Sequence, residues 1–104
     1  MSRMSPRDVT ERLSNLTAWR YSPERGGVLR REFVFDDFAA AFSFMTEIAH
    51  EAEARRHHPE WSNVYNRVHV ALTTHDVGGL SVKDFELARA MDAAFARRTA
   101  RPAA

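Results

Sequence analysis

The sequence contains no cysteine, only four glycines and four prolines, and almost no net charge. The lack of cysteine excludes disulfide scaffolds, zinc ribbons and thiol catalysis. The 15 basic and 14 acidic residues leave a formal charge of +1, too little to favour nucleic acid as a partner. No apolar run approaches the roughly 20 residues of a membrane span, and the first residues lack the apolar region of a secretory signal. We therefore expect a cytoplasmic protein that binds neither membranes nor nucleic acid.

The remaining composition is typical of a folded domain. Hydrophobic residues make up 44% of the 104 residues, and charged residues make up 28%. A chain of this length and composition predicts one domain over residues 1–104, built around a single core. The ends, 1–4 and 99–104, are expected to fray because chain termini are the least restrained parts of a domain.

Three segments carry helix signals. Ser5 is the expected N-cap of a first helix that ends near residue 16. Asp36 or Asp37 caps the longest helix, which Pro59 cannot continue. Ser81 begins a last helix that runs to about residue 98, with Asp84 as its capping-box partner.

Four short segments carry strand signals. Alternating or β-prone residues predict strands over 19–21, 28–35, 62–66 and 68–74. The order of elements is therefore α-β-β-α-β-β-α. We predict an α+β fold in which three helices cover one face of a four-stranded antiparallel sheet.

The apolar pattern of the longest helix predicts which of its faces is buried. Apolar residues recur with helical period, at Phe38, Ala41, Phe42, Met45, Ile48, Ala49 and Ala52. Phe44 lies off this stripe, which leaves two interpretations: a core position or a helix–helix contact with another subunit. The uncovered face of the sheet must likewise meet water or a second copy.

Three of the five histidines lie in two loops that flank one pair of strands. His57 and His58 follow the long helix, and His75 follows the last strand. Loops that leave one edge of a sheet can converge, so these imidazoles are candidates for acid–base chemistry near neutral pH. Glu53 precedes His57 by four residues, near the end of the long helix. His50 and His69 lie outside the two loops and are expected at the surface.

A metal site is the competing interpretation of these histidines. Adjacent histidines are awkward as ligands of one tetrahedral zinc. Glu47 and His50 have the Glu-x-x-His spacing of di-iron bundles, but such bundles need two copies of the motif and two further glutamates. The spacing therefore favours proton transfer with no bound metal.

The same residues carry a resemblance to a known family. The segments 53–66 (EARRHHPEWSNVYN) and 68–84 (VHVALTTHDVGGLSVKD) strongly resemble the pterin-4a-carbinolamine dehydratases, and 31–45 (REFVFDDFAAAFSFM) also fits. The resemblance covers nearly the whole chain and is weakest over the first 25 residues. Arg55-Arg56 departs from the pattern, because at least one acidic or neutral residue would be expected before His57.

The resemblance implies a reaction. A 4a-hydroxytetrahydropterin, left by a pterin-dependent aromatic amino acid hydroxylase, would lose water to give the quinonoid dihydropterin. No cofactor is implied, because the pterin is the substrate. His57 and His75 would be the acid–base pair, and His58, the third catalytic histidine, would contact the pterin or the 4a-hydroxyl. Glu53 would orient or tune His57. The supporting or substrate-binding residues implied are Glu53, Trp61, Thr73, Thr74, Asp76 and Asp84.

Two other functions remain open at this point. Animal members of the family also act as dimerisation cofactors of a homeodomain transcription factor, and the exposed positions of the long helix could serve such a role. A pterin-binding module without turnover is the second alternative. The resemblance also implies a homodimer or homotetramer.

Overall fold

The computed structural model describes residues 2–99, and within them three α-helices and four strands follow the predicted order. Their bounds are α1 Pro6–Leu13, β1 Arg20–Ser22, β2 Val28–Val34, α2 Phe38–Arg55, β3 Glu60–Val64, β4 Arg67–Leu72 and α3 Val82–Thr99. The four strands form one antiparallel sheet in the order β1-β2-β4-β3. The predicted α+β fold is confirmed.

The helix caps form where the sequence predicts them. The Ser5 hydroxyl accepts from the Asp8 N–H at 3.2 Å, and the Asp37 carboxylate accepts from the Ala40 N–H at 2.8 Å. At the start of α3, the Asp84 carboxylate accepts from the Ser81 N–H at 2.9 Å. Each cap satisfies a backbone donor that has no partner inside its helix.

The third strand begins two residues earlier than predicted. β3 starts directly after Pro59, and the chain reverses at Tyr65, whose φ is +50°. The Asn63 side chain stabilises this reversal by donating to the carbonyls of Tyr65 and Arg67, at 3.0 and 2.9 Å. β3 and β4 therefore form a hairpin that begins immediately after the two adjacent histidines.

The core lies between the sheet and the helices. Alternate residues of β2 and β4, including Leu29, Phe33, Val68 and Leu72, are fully buried beneath α2 and α3. Arg31 shares this face of β2 and remains there because its guanidinium pairs with Asp92 at 2.5 Å. The same guanidinium lies 4.2 Å from the ring centroid of Phe33, so a charge on the core face is both paired and stacked.

The predicted buried face of α2 is partly wrong. Ala41, Phe44, Ile48 and Ala52 form the buried line of this helix. Phe38 and Phe42, predicted to be buried, are 47% and 55% exposed, and Ala49 is exposed as well. Because apolar residues cover more than half of the helix circumference, the pattern did not determine which part the sheet and α3 would cover. Of the two interpretations of Phe44, the core position is the one observed.

Two loops cross at the edge of the sheet through glycine. Gly26, with φ +82°, lies so close to the loop after β4 that an added Cβ would come 1.9 Å from the Gly78 carbonyl oxygen. A Cβ on Gly79 would come 2.7 Å from the Gly26 carbonyl oxygen. This crossing fixes the β1–β2 loop against the turn that carries His75.

The fraying predicted at the ends falls partly outside the described residues, which exclude residue 1 and residues 100–104. Within the described part of these ends, the Met4 N–H donates to the Leu80 carbonyl at 2.8 Å, and the fraying stays a prediction. Thr99 is still part of α3. No helix in the described part of the chain is both long and apolar enough to cross a membrane.

Candidate active site

His57 is held in place by its backbone and by its side chain. After α2, Arg56 adopts the left-handed conformation at φ +52°, and the His57 N–H donates to the Ala52 carbonyl at 3.1 Å. This is the bonding pattern of a Schellman motif, in which glycine is the usual residue at the left-handed position. The motif turns the chain sharply, so His57 points back toward α3 and is only 8% exposed.

The acceptor for the His57 side chain is Asp84. The His57 Nε2 lies 2.6 Å from the Asp84 Oδ1, and Asp84 is completely buried. The other oxygen, Oδ2, accepts from the Thr74 hydroxyl at 2.7 Å and from the Ser81 N–H at 2.9 Å. The Ser81 hydroxyl lies 2.7 Å from the Thr74 hydroxyl and completes the chain of hydrogen bonds. With Oδ2 satisfied by two donors, Oδ1 is fixed toward His57.

The residue that contacts the His57 side chain is Asp84 and not the predicted Glu53. Glu53 was expected to orient His57, but its Oε1 lies 3.2 Å from the Nε2 of His58. The left-handed turn at Arg56 carries His57 away from the side of the helix on which Glu53 lies. Both His58 and Glu53 are exposed, whereas the His57–Asp84 pair is buried.

The two histidine loops converge on one cavity of about 560 Å³, a volume typical of small-molecule sites. All three predicted histidines line it, together with the predicted Thr73, Thr74 and Asp76. The residues that line the cavity are Arg25, Arg56, His57, His58, Glu60, Thr73, Thr74, His75, Asp76, Val77, Gly78 and Lys83. Asp84 lies behind His57 and does not line the cavity.

His75 and Asp76 occupy a short 3₁₀ turn, His75–Val77, at the rim of this cavity. The turn is closed by the Val77 N–H, which donates to the Thr74 carbonyl, and by the Thr74 N–H, which donates to the Gly79 carbonyl. Thr73 donates its hydroxyl to the Gly27 carbonyl at 2.8 Å. The position of His75 is thus determined by backbone bonds on both sides, while its side chain stays exposed to the cavity.

Trp61 lies outside this cavity. It lies within β3, where it is partly buried against the core, and it lines a larger groove of about 690 Å³ on the open face of the sheet. That groove contains one histidine, His69, whose Nε2 pairs with Glu32 at 2.8 Å. We assign the candidate site to the smaller cavity because it contains three histidines and the buried His57–Asp84 pair.

One wall of the cavity is an ion pair that the sequence did not indicate. The Arg25 guanidinium donates to both oxygens of Glu60, at 2.8 and 3.0 Å. These hydrogen bonds lower the pKa of the Glu60 carboxyl and raise the pKa of Arg25. Arg25 belongs to the breaker-rich loop between β1 and β2, and its contact with Glu60 spans 35 residues of sequence. Arg56 and Lys83 are two further lining residues that sequence reasoning did not select.

Within residues 2–99, no three histidine, aspartate or glutamate side chains are grouped so that they could hold a metal ion. The arrangement instead combines a buried imidazole–carboxylate pair with two accessible imidazoles around a small-molecule cavity. The fold and site together define an α+β protein with a cavity of small-molecule size that is lined by three imidazoles, one of them paired with a buried carboxylate.

The comparisons with known proteins identify the family. The family model described as pterin 4 alpha carbinolamine dehydratase matches residues 2–94, and the chain belongs to this family. A protein of Synechococcus sp. strain WH7803 is 52% identical over 94 residues, which cover 89% of this chain and 98% of that protein. Its name assigns it, provisionally, as a pterin-4-alpha-carbinolamine dehydratase.

Solved structures agree with this assignment. The crystal structure of a transcriptional coactivator/pterin dehydratase from Brucella melitensis is similar with a TM-score of 0.85 and 41% identity, covering 89% of this chain and 98% of that one. A pterin dehydratase-like protein described as a RuBisCO assembly factor in the alpha-carboxysome has a TM-score of 0.66 over 75% of this chain and 89% of that one. At 22% identity, the second similarity concerns the fold alone.

Proposed function

We propose that this protein dehydrates a 4a-hydroxytetrahydropterin to the quinonoid dihydropterin. The observation that carries the proposal is the buried His57–Asp84 pair, which opens into a cavity shared with His58 and His75. In the reaction the C4a–O bond breaks, N5 loses its proton, and a C4a=N5 double bond forms as water leaves. The reaction transfers two protons and no electrons, so it needs an acid and a base and no redox cofactor.

His57 is suited to accept the N5 proton. Because Asp84 accepts from Nε2, the neutral imidazole carries its proton there, and Nδ1 is the unprotonated nitrogen. Nδ1 has no hydrogen-bond partner within residues 2–99. Because no side-chain nitrogen or oxygen in these residues is both buried and without a partner, Nδ1 must be accessible to solvent. Once His57 is protonated, the adjacent carboxylate stabilises the imidazolium, as in serine hydrolase triads.

His75 is suited to protonate the departing hydroxyl. Its exposed imidazole lies on the opposite loop of the cavity and has no carboxylate within ion-pair distance in the described part of the chain. A proton donor on one loop and an acceptor on the other can act on the two adjacent atoms C4a and N5. His58, held by Glu53, would contact the pterin, and the Thr73, Thr74 and Asp76 segment would bind its polar edge.

The substrate must come from a reaction that leaves a hydroxyl on C4a. An oxygen-dependent hydroxylation that uses a tetrahydropterin, such as that of an aromatic amino acid hydroxylase, has this product. The proposed role is therefore the recycling of a tetrahydropterin in the cytoplasm.

The experiment that tests this function follows the dehydration of 4a-hydroxytetrahydropterin by ultraviolet absorbance. We expect the wild type to accelerate the reaction, and His57→Ala and His75→Ala each to lower kcat/KM by at least about tenfold, and up to about 10³-fold. His69→Ala is the matched control, because His69 pairs with Glu32 on the other face of the sheet. A wild type no faster than buffer would refute the function, and unaffected histidine variants would refute the residue assignment.

Self-association is a second role, supported by a separate observation. Phe38 and Phe42 are exposed on α2, with ring centroids 5.7 Å apart. Two exposed aromatic rings on one helix face are typical of a helix–helix contact between subunits. The face fits a second copy of this chain in a homodimer or homotetramer, and a different partner protein is the alternative occupant.

A further inference from the structure

Two cations at the candidate site have no partner of opposite charge among residues 2–99. Arg25 and Glu60, two of the lining residues that are charged at neutral pH, neutralise each other. Arg56, Lys83 and Asp76 remain, and within residues 2–99 neither Arg56 nor Lys83 has a carboxylate within ion-pair distance. The cavity therefore presents two unpaired cations and one carboxylate to a ligand.

The conformation of Arg56 explains how one cation comes to line the cavity. Its neighbour Arg55 is the last residue of α2 and pairs with Glu51, 3.0 Å away on the same helix. Arg56 occupies the left-handed position of the Schellman motif, φ +52°, where glycine is usual and a side chain is disfavoured. The turn separates the two neighbouring arginines, so that Arg55 stays on the helix and Arg56 lines the cavity.

Both cations are next to the residues that hold the proposed base. Arg56 directly precedes His57, and Lys83 directly precedes Asp84. The Lys83 N–H donates to the Ser81 hydroxyl at 3.3 Å, so its backbone is part of the hydrogen-bonded chain around Asp84. His57 is almost completely buried, whereas Arg56 is exposed and Lys83 is partly exposed. The two cations are therefore more accessible to solvent than the His57 imidazole.

The chemistry of the pterin places its side chain near these cations. In the proposed reaction His57 takes the proton from N5, and C6, which carries the side chain, is bonded to N5. The first atom of a C6 substituent is thus two bonds from N5, and a substituent that extends from the buried His57 toward solvent would come near the accessible cations that line the same cavity.

We propose that the natural substrate carries an anionic group, a phosphate or a carboxylate, on its C6 side chain, and that Arg56 and Lys83 bind this group. The inference rests on the proposed function for the placement of the ring. Arginine and lysine are the side chains that bind phosphate and carboxylate by charge-assisted hydrogen bonds. Because both cations are accessible to solvent, their contribution should decrease as salt screens them.

The test compares pterins that differ in the C6 substituent, which is neutral in one probe and anionic in the other two. The probes are 6-hydroxymethylpterin, its phosphate monoester and pterin-6-carboxylate, and binding is followed by quenching of pterin fluorescence. We expect the wild type to bind at least one of the two anionic probes about tenfold more tightly than the neutral one, equivalent to about 1.4 kcal/mol. The advantage should shrink at high ionic strength. Which anion gains more distinguishes phosphate from carboxylate.

The variants separate the effect of charge from an effect on folding. Arg56→Gly removes the cation and inserts the residue that the left-handed position favours, so the thermal midpoint should not fall. Combined with Lys83→Gln, it should abolish the preference for the anionic probes. Arg55→Gln is the matched control, because it removes the same charge one residue away, outside the cavity, and should keep the preference.

Equal wild-type affinity for neutral and anionic probes would overturn the inference, and so would a preference that survives the double variant. The outcome is independent of turnover. A protein that dehydrates 4a-hydroxytetrahydropterins but binds the neutral and anionic probes equally tightly retains the proposed function and loses this inference. A protein that binds the anionic probes more tightly but dehydrates neither substrate loses the proposed function and retains the anion site.

Discussion

Asp84 accepts hydrogen bonds from three separate parts of the chain: from His57 after α2, from Thr74 after β4 and from Ser81 before α3. Each donor would be costly to leave unpaired, because all four residues are buried. A side chain predicted only as a helix cap and loop support thus fixes the orientation of the proposed base. The site is anchored to α3 through Asp84, although all three of its histidines lie on loops.

Asp84→Asn should therefore reduce activity more than its effect on stability would suggest. The amide can no longer accept at both former carboxylate oxygens, and it cannot stabilise an imidazolium on His57 as a charged carboxylate does. We expect kcat/KM for dehydration to fall about 10²-fold or more, and the free energy of unfolding to fall by about 1–3 kcal/mol. Thr74→Val is the comparison, because it removes one donor to Asp84 and leaves the His57 contact in place. Equal activity of Asp84→Asn and wild type would show that the carboxylate has no catalytic role.

The Arg25–Glu60 pair gives a prediction for pH. Because the pKa of Glu60 is lowered in the folded protein, its contribution to stability is present above its unfolded pKa and is lost as the pH falls through the folded pKa. Both side chains are about half exposed, so this contribution should not exceed about 1 kcal/mol. Glu60→Gln should reduce the free energy of unfolding, measured with urea, at about pH 6, and the difference from wild type should be smaller near pH 3, which is below the usual pKa of an unfolded-state glutamate. A difference that is the same at both pH values would show that the ionised pair does not stabilise the fold.

At the scale of the element, α2 shows how far a single sequence predicts a structure. Its beginning at Asp37 and its end before Pro59 follow from local chemistry, since a capping carboxylate and a missing N–H act within one turn. Its buried face does not follow in the same way. Phe38, Phe42 and Phe44 are equally apolar, and only the docking of the sheet and α3 determines which ring is buried.

The two phenylalanines at 42 and 44 provide a direct test of this packing. Phe44 is fully buried and packs against Phe33, with ring centroids 4.8 Å apart, whereas Phe42 is 55% exposed. Phe44→Ala should reduce the free energy of unfolding by about 3–5 kcal/mol. Phe42→Ala removes the same atoms from the same helix and should change it by about 0.5 kcal/mol or less under conditions where the protein is monomeric. Urea denaturation of both variants measures the difference, and similar losses would contradict the observed orientation of α2.

In the candidate site, too, some features could be predicted from local sequence and others depend on contacts between distant segments. The convergence of His57, His58 and His75 was predictable, because both loops leave one edge of a four-stranded sheet. The partner of His57 was not, because Asp84 lies 27 residues away and the turn at Arg56 reverses the direction that helical spacing implies. Trp61 was selected because it is near the histidines in sequence, but the pleat of β3 directs it away from their cavity. Arg25 reaches the cavity wall through its contact with Glu60, 35 residues away, which leaves no local pattern.

At the scale of the whole molecule, the two surfaces of the sheet differ in character. One is covered by the helices and contains the core. The other carries ion pairs, among them Arg30–Glu24 and Arg67–Glu32, at 3.1 and 2.9 Å. This charged face is well suited to water, whereas the exposed phenylalanines of α2 are not, which favours α2 as the site of self-association.

We therefore expect light scattering after size exclusion to report a dimer or tetramer, and Phe42→Ser to shift it toward the monomer. The reason is the loss of apolar area from the centre of the proposed contact. Tyr65→Ser is the matched control, because Tyr65 is 63% exposed at the β3–β4 turn, on a different element. A wild type that is monomeric at every concentration tested would refute self-association, and a shift in Tyr65→Ser alone would place the contact at the hairpin.

The loop crossing at Gly26 makes the candidate site sensitive to a substitution far from it in sequence. The backbone of the β1–β2 loop approaches the Gly78 carbonyl so closely that the space available there is smaller than a methyl group. One added carbon at residue 26 would displace the segment that follows His75, about 50 residues further along the chain. The distance between His57 and His75, the two proposed proton-transfer residues, thus depends in part on Gly26, which has no side chain and does not line the cavity.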